Sequence, residues 1–209
     1  DGKLAKMCRN CIRVPQGNPP RTMLGFLSLP LLVTVARTQL LKKPLALDSL
    51  PGFLKRELSG AERAGRKLAK NLYGKIPVIY AANSYQSLAL RFHAQLAENS
   101  GMFSHWNVLP EANHNEIVGF KPEEKSLAFV FFRSKDETNR MQKRFEFTKK
   151  LVSKRSESVE IWLKGKTHAE RLFHGILIGD FASYYLALLN RKDPSDIKNI
   201  NALKKTLSR

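Results

Sequence analysis

Two segments of this 209-residue chain carry the side chains that acid–base chemistry needs. One is RFHAQLAENS, residues 91–100, which holds Glu98 near its end. The other is LPEANHNEIVGF, residues 109–120, where His114 stands among Asn113, Asn115 and Glu116. A carboxylate and an imidazole that converge from two loops can take and return protons on a reacting molecule. A plainer reading competes with this. Asn113 is a good helix cap, and Glu116, three residues later, would be its capping-box partner. Spacing alone ranks capping above catalysis, because spacing does not show convergence.

The remaining reactive residues point nowhere in particular. His93, His105, His168 and His174 lack metal-ligand spacing and read as surface or satisfied core histidines. Cys8 and Cys11 are spaced C-x-x-C, but a zinc site would need a second ligand pair, and no further cysteine exists. Two reduced thiols in a cytosolic protein is the plainer account. No GxGxxG and no P-loop supports a nucleotide site.

The elements that must position Glu98 and His114 alternate. Residues 1–14 read as a helix end followed by a short strand, Cys11 to Val14. Residues 15–21, with a glycine and three prolines, read as a turn. Residues 23–42 read as an apolar, buried helix, and residues 43–60, with two prolines and two glycines, as a connection. Helices are expected over 61–73, 85–99, 136–152, 167–190 and 195–207. Strands are expected over 76–81, 106–109, 126–132 and 159–163. Such alternation implies βαβ units and a parallel sheet covered on both faces. Ligands of such sheets sit at the carboxyl ends of the strands.

Composition sets wider bounds. With 43% hydrophobic residues the chain can bury a core. Its 36 Lys and Arg against 18 Asp and Glu give a net charge of +18, which favours anionic partners. The basic residues are scattered, so solvated helix faces are the first reading and a nucleic-acid groove a minor one. The apolar stretch from Met23 to Ala36 falls short of the roughly 20 residues of a membrane span, and Pro30 interrupts it. The start at Asp1, with neither Met nor signal peptide, reads as a fragment or a processed chain.

The two opening segments resemble the second sugar-isomerase (SIS) domain of bifunctional phosphoglucose/phosphomannose isomerases. In that family a strand of the IPVIY kind leads into a helix bearing an arginine, a glutamine and a terminal glutamate-asparagine, then into PE-x-NHNE-x-x-G. This chain has Arg91, Gln95, Glu98-Asn99, Pro110-Glu111, Asn113 to Glu116 and Gly119 in that order. Gly179-Asp180 with Ser183 to Ala187 resembles the family's long penultimate helix, and Asp193-Pro194 with Lys204 its closing one. Pro15 to Arg21 resembles the turn that ends the family's first SIS domain.

The resemblance implies an α/β fold, a three-layer parallel sheet with helices on both faces. It implies a remnant of a first SIS domain over 1–52 and the second SIS domain over 53–209. It implies interconversion of glucose 6-phosphate, and of mannose 6-phosphate, with fructose 6-phosphate through an enediolate. Glu98 would move the C1/C2 proton, and its place at a helix C-terminus, the negative end of the dipole, suits a base. His114 would open the sugar ring, alone or with Lys204, and Arg21 would stabilise the enediolate. The family supplies its histidine across a homodimer interface. The implied enzyme is cytoplasmic and uses no cofactor, metal, nucleic acid or membrane. The family's SGNTEE-type phosphate loop does not occur in this sequence, so the chain alone is expected to be weak or inactive. A truncated, inactive sugar-phosphate-binding SIS protein is therefore the alternative. A sugar-phosphate sensor would lack the Glu98–His114 pair, and a nucleic-acid binder has only net charge behind it.

Overall fold

Runs of apolar, β-branched and aromatic residues make the strands, and how continuous each run is tells where the strand sits. The computed structural model describes residues 3–8, 10–38, 47–120, 125–154 and 156–208. Strands β1 (Ile76–Ala82), β2 (His105–Leu109), β3 (Leu127–Ser134) and β4 (Glu157–Leu163) form one parallel sheet of order β2-β1-β3-β4. The central strands β1 and β3 are buried along almost their whole length, which their unbroken apolar sequence requires. The outer strands admit His105, Asn107, Glu157 and Glu160, because one of their edges is open.

Neighbouring residues of β3 show the layers directly. Phe132 meets Phe92 edge-to-face at 5.8 Å on one side of the sheet. Phe131 meets Phe145 edge-to-face at 6.2 Å on the other. Phe92 belongs to α4 (Gln86–Ser100) and Phe145 to α5 (Asn139–Val152). Helix α6 (His168–Leu189) packs beside α4 and also against α3 (Leu50–Leu72). Gly65 of α3 lets α6 approach so closely that an added Cβ would meet the Phe181 Cβ at 2.6 Å. Helices therefore lie on both faces, as the sequence implies.

The contacts divide the chain into two units, Asp1–Leu47 and Asp48–Arg209. The first holds α1 (Lys3–Met7), a 3-10 helix Pro20–Thr22 and α2 (Leu24–Arg37). The second holds the sheet, α3 to α6 and α7 (Lys198–Leu207). Residues 52 and 53, where the sequence reading divides the chain, lie inside α3.

Three expectations need correction. Cys11 to Val14 form no strand, since they pair with none of the described residues. No residue of α2 is buried, and Phe26 and Leu31 are more than half exposed, so it is not a buried helix. The helix also stops at Arg37, and the expected stretch from 39 to 42 lies outside the described residues. Residues 50–60 are the start of α3 and not a connection. Pro51 stands in the first turn, where a missing N–H costs nothing. Gly52 and Gly60 each cost about 1 kcal/mol of helix propensity, which burial of Leu50 and Phe53 outweighs.

Helix α6 opens on a full capping box between Thr167 and Glu170. It is long and apolar enough to cross a membrane by length and composition alone. Half of its most apolar stretch is buried inside the fold. It serves here as the core helix of the α3–α4–α6 layer.

Candidate active site

Glu98 stands in the last turn of α4, half-buried. Leu88, Phe92 and Leu96 bury one stripe of that helix, as their spacing requires. A second, polar stripe runs along α6. Asp180 accepts from Arg91 Nη2 at 2.7 Å and from Gln95 Nε2 at 3.0 Å. Asn99 Nδ2 donates to Ser183 Oγ at 3.0 Å, and Ser100 Oγ donates to the Ser183 carbonyl at 2.7 Å. These pairs fix the register of α4 on α6, and so the height at which Glu98 leaves the helix. The helix then ends on Gly101 in the left-handed conformation, φ 64°.

Glu98 does not lie at the carboxyl ends of the strands. Helix α4 leaves β1 at that edge and carries its last turn back toward the start of β2, which follows Ser100 after a four-residue loop. The expectation of a site at the carboxyl edge fails for Glu98, because a crossover helix runs antiparallel to its strands.

The segment after β2 presents His114. The side chains around it are tied down, each by a different element. Asn113 Nδ2 donates to Thr148 Oγ1 on α5 at 2.7 Å. Asn115 Oδ1 accepts from the Glu116 backbone N–H at 2.7 Å, and its Nδ2 donates to Glu111 Oε1 at 3.0 Å. Glu116 Oε2 accepts from Tyr80 OH at 2.6 Å, and Oε1 accepts from His105 Nε2 at 2.9 Å and from Asn107 Nδ2. His114 itself is exposed, with its backbone N–H bonded to the Glu111 carbonyl at 2.8 Å. The capping expectation is therefore corrected: Asn115, not Asn113, caps the short 3-10 helix Glu116–Gly119, and Glu116 reaches into the sheet.

Electrostatics agree with that anchoring. Burial pulls the Glu116 carboxyl up, but hydrogen bonds from Tyr80, Asn107 and His105 outweigh it and hold the group below the usual carboxylate range. Burial, with Glu116 beside it, pushes the Tyr80 phenol well above its usual range, so Tyr80 stays a donor.

Within one chain Glu98 and His114 stand on elements that pack on opposite faces of the sheet. Glu98 is on α4, in the α3–α6 layer, and the His114 segment is bonded to α5. Lys204 is exposed on α7, a helix with no buried residue. Arg21 is half-buried in the 3-10 helix Pro20–Thr22 of the first unit. Cys8 and Cys11 are free and exposed.

Sequence reading missed the supports of these residues. Tyr80, Asn107 and His105 hold the His114 segment, and nothing in their spacing marks them. Lys192 Nζ donates to the Glu98 carbonyl at 3.1 Å from a loop 94 residues away. Only the fold shows that contact.

The sheet order and the layers define the class: an α/β domain of the SIS fold. The chain belongs to the family of the bacterial phospho-glucose isomerase C-terminal SIS domain, which it matches over residues 61–207. It is 30% identical over 209 residues to the bifunctional phosphoglucose/phosphomannose isomerase of Thermoplasma acidophilum, covering 99% of this chain and 65% of that protein. It is 31% identical to the enzyme of the same description from Caldicellulosiruptor bescii, covering 94% of this chain and 62% of that one. The chain thus spans just under two thirds of the length of these curated relatives. Among solved structures it is similar to a glucose-6-phosphate isomerase like protein from Thermus thermophilus, with TM-score 0.55 and 20% identity over 73% of this chain and 56% of that one. It is also similar to the C-terminal domain of glucosamine-fructose-6-phosphate aminotransferase from Francisella tularensis, with TM-score 0.51 and 12% identity over 71% and 44% of the two chains. These structural likenesses concern the fold.

Proposed function

We propose that this chain forms the larger part of an aldose–ketose isomerase that interconverts glucose 6-phosphate and mannose 6-phosphate with fructose 6-phosphate. The observation that carries the reading is the His114 segment of a family member, held by Asn113 on α5 and by Glu116 on the sheet while the imidazole is exposed. Residues 1–52 are read as part of a first SIS domain, and 53–209 as the second. The protein works as a cytoplasmic homodimer.

In this reading the reaction is two proton transfers around one carbon–carbon bond. His114, with Lys204, moves the O1 proton to the ring oxygen, and the ring C1–O5 bond opens to the free aldehyde. The Glu98 carboxylate takes the C2 proton, and the electron pair forms the enediolate. The guanidinium of Arg21 stabilises that negative charge. The O2 proton passes to O1, Glu98 returns its proton to C1, and the electron pair on O2 closes the C2 carbonyl of the ketose. Return to either face of C2 in the reverse direction admits both epimers. Because one sheet separates Glu98 from His114, the pair in one site comes from two copies of the chain.

The test is a coupled assay of fructose 6-phosphate formation from either sugar, with the Glu98→Gln and His114→Ala variants. Each variant alone is expected to lose at least about a hundredfold in kcat, the usual share of a positioned acid or base. Co-expressed, the two are expected to recover about a quarter of native activity, because half of the pairs are mixed and each mixed pair has one intact site. Full activity of Glu98→Gln would remove the base. No recovery on co-expression would place both residues in one copy.

A further inference from the structure

We propose that Lys192 is a positioning residue for Glu98: its ammonium holds the last turn of α4 and sets the carboxylate in its working place. This rests on Glu98 being the base.

The argument starts from the ends of two helices. α4 ends at Ser100 and α6 at Leu189, and their ends share a cleft of about 500 Å³ lined by Tyr73, Ser100, Gly101, Asn190, Arg191 and Lys192. Each helix end exposes carbonyls without intrahelical partners and carries the negative pole of its dipole. Two such ends side by side call for donors and for positive charge. The loop after α6 supplies both. Arg191 takes a left-handed conformation, φ 53°, which turns the chain back toward α4. Lys192 then bonds its backbone N–H to the Ala187 carbonyl at 2.9 Å and crosses to the other helix. Its stem lies so close over Gly101 that a Cβ there would meet Lys192 Cδ at 2.8 Å. Its Nζ ends on the carbonyl of Glu98 at 3.1 Å.

The neighbouring Asn190 makes a neutral version of the same contact. Its Nδ2 donates to the Ser100 carbonyl at 3.1 Å. Asn190 therefore caps the helix, whereas Lys192 brings a full charge to the peptide group of the proposed base itself. Terminal turns fray unless tied. A reacting carboxylate displaced by about 1 Å can lose on the order of a hundredfold in rate. A tie at the Glu98 peptide acts where that displacement would begin.

The experiment uses the protein in its full natural length and four variants. Lys192→Met keeps the apolar stem over Gly101 and removes only the ammonium. It is expected to lower kcat about tenfold while KM changes less than about twofold, as for an interaction that matters in the transition state. Lys192→Arg is expected to recover most of kcat. Asn190→Ala is expected to lower the melting temperature as much as Lys192→Met does, with kcat kept, which separates capping from positioning. Glu98→Gln runs beside them. If Glu98→Gln is silent, the base assignment fails and the role of Lys192 falls with it. If Glu98→Gln is inactive but Lys192→Met keeps native kcat, or Arg fails as Met does, only the role of Lys192 is overturned.

Discussion

Glu116 collects hydrogen bonds from Tyr80, His105 and Asn107, which lie on two neighbouring strands. Removing its carboxylate leaves the buried Tyr80 hydroxyl without this acceptor and frees the His114 segment from the sheet. Glu116→Ala is expected to cost about 1–3 kcal/mol in urea unfolding and to lower activity with it. An unchanged unfolding midpoint would show that the segment is held elsewhere. His174 gives a second expectation at this scale. Burial pushes its imidazole down, the Lys164 charge pushes the same way, and Glu57 opposes weakly. The unfolded chain then binds the proton more tightly than the folded one below the ordinary value of 6.5. Stability should fall as pH drops below about 6.5, and His174→Gln should flatten that stretch of a melting-temperature profile. Glu116 works lower down. Its depressed carboxyl contributes stability that is lost only as pH falls below about 4.5 and through its folded value. The motif around His114 was legible in the sequence, but the division of labour inside it was not. Asn113, Asn115 and Glu116 look alike as polar turn residues, and only the partners of Asn113 on α5, of Glu116 on β1 and β2, and of Asn115 within the segment tell them from the histidine.

Arg133 shows the same lesson for elements. It is 3% exposed, between the rings of Phe145 at 4.5 Å and Trp162 at 4.7 Å. Glu137 at 2.8 Å and Glu160 at 2.5 Å pair with it, so it ties β3 to the turn before α5 and to β4, while the Phe145 ring links it to α5. Arg133→Met keeps volume but leaves the Glu137 carboxylate, 2% exposed, without its partner. The expected loss is about 3–5 kcal/mol by chemical denaturation, and restoration by Glu137→Gln in the same chain would confirm the cause. The central strands were readable because burial on both faces demands unbroken apolar runs. Helix starts were less readable: Thr138 and Thr167 prove to be caps, and Pro51 a first-turn residue. The strand expected at Cys11 to Val14 failed because a strand is a property of pairs, and one sequence window contains no partner.

For the molecule as a whole, the sheet sets the terms. If the acid–base pair is completed between copies, specific activity should fall on dilution and return on concentration. Activity proportional to protein at every dilution, with a single-copy mass in solution, would sink the two-copy site. The net charge of +18 acts in the same experiment, because salt screens repulsion between basic copies and should favour association. Fold class and layer order were legible from alternation alone. The separation of Glu98 from His114 was not, since it depends on which side of β1 each connection takes.

Helix α6 has one more consequence, and it concerns the order of synthesis. A segment of its length and hydropathy, met bare by the machinery that inserts membrane proteins, reads as a span. Its main packing partners, α3 and α4, and the strand β4 lie earlier in the chain. Both walls of its slot have therefore left the ribosome before α6 appears, and the helix can be buried as it emerges. A circular permutant that begins at Gly165 keeps the capping box and the packing partners of α6 and changes that timing. It should reach the membrane fraction or aggregate in cells, yet refold normally from denaturant in a test tube.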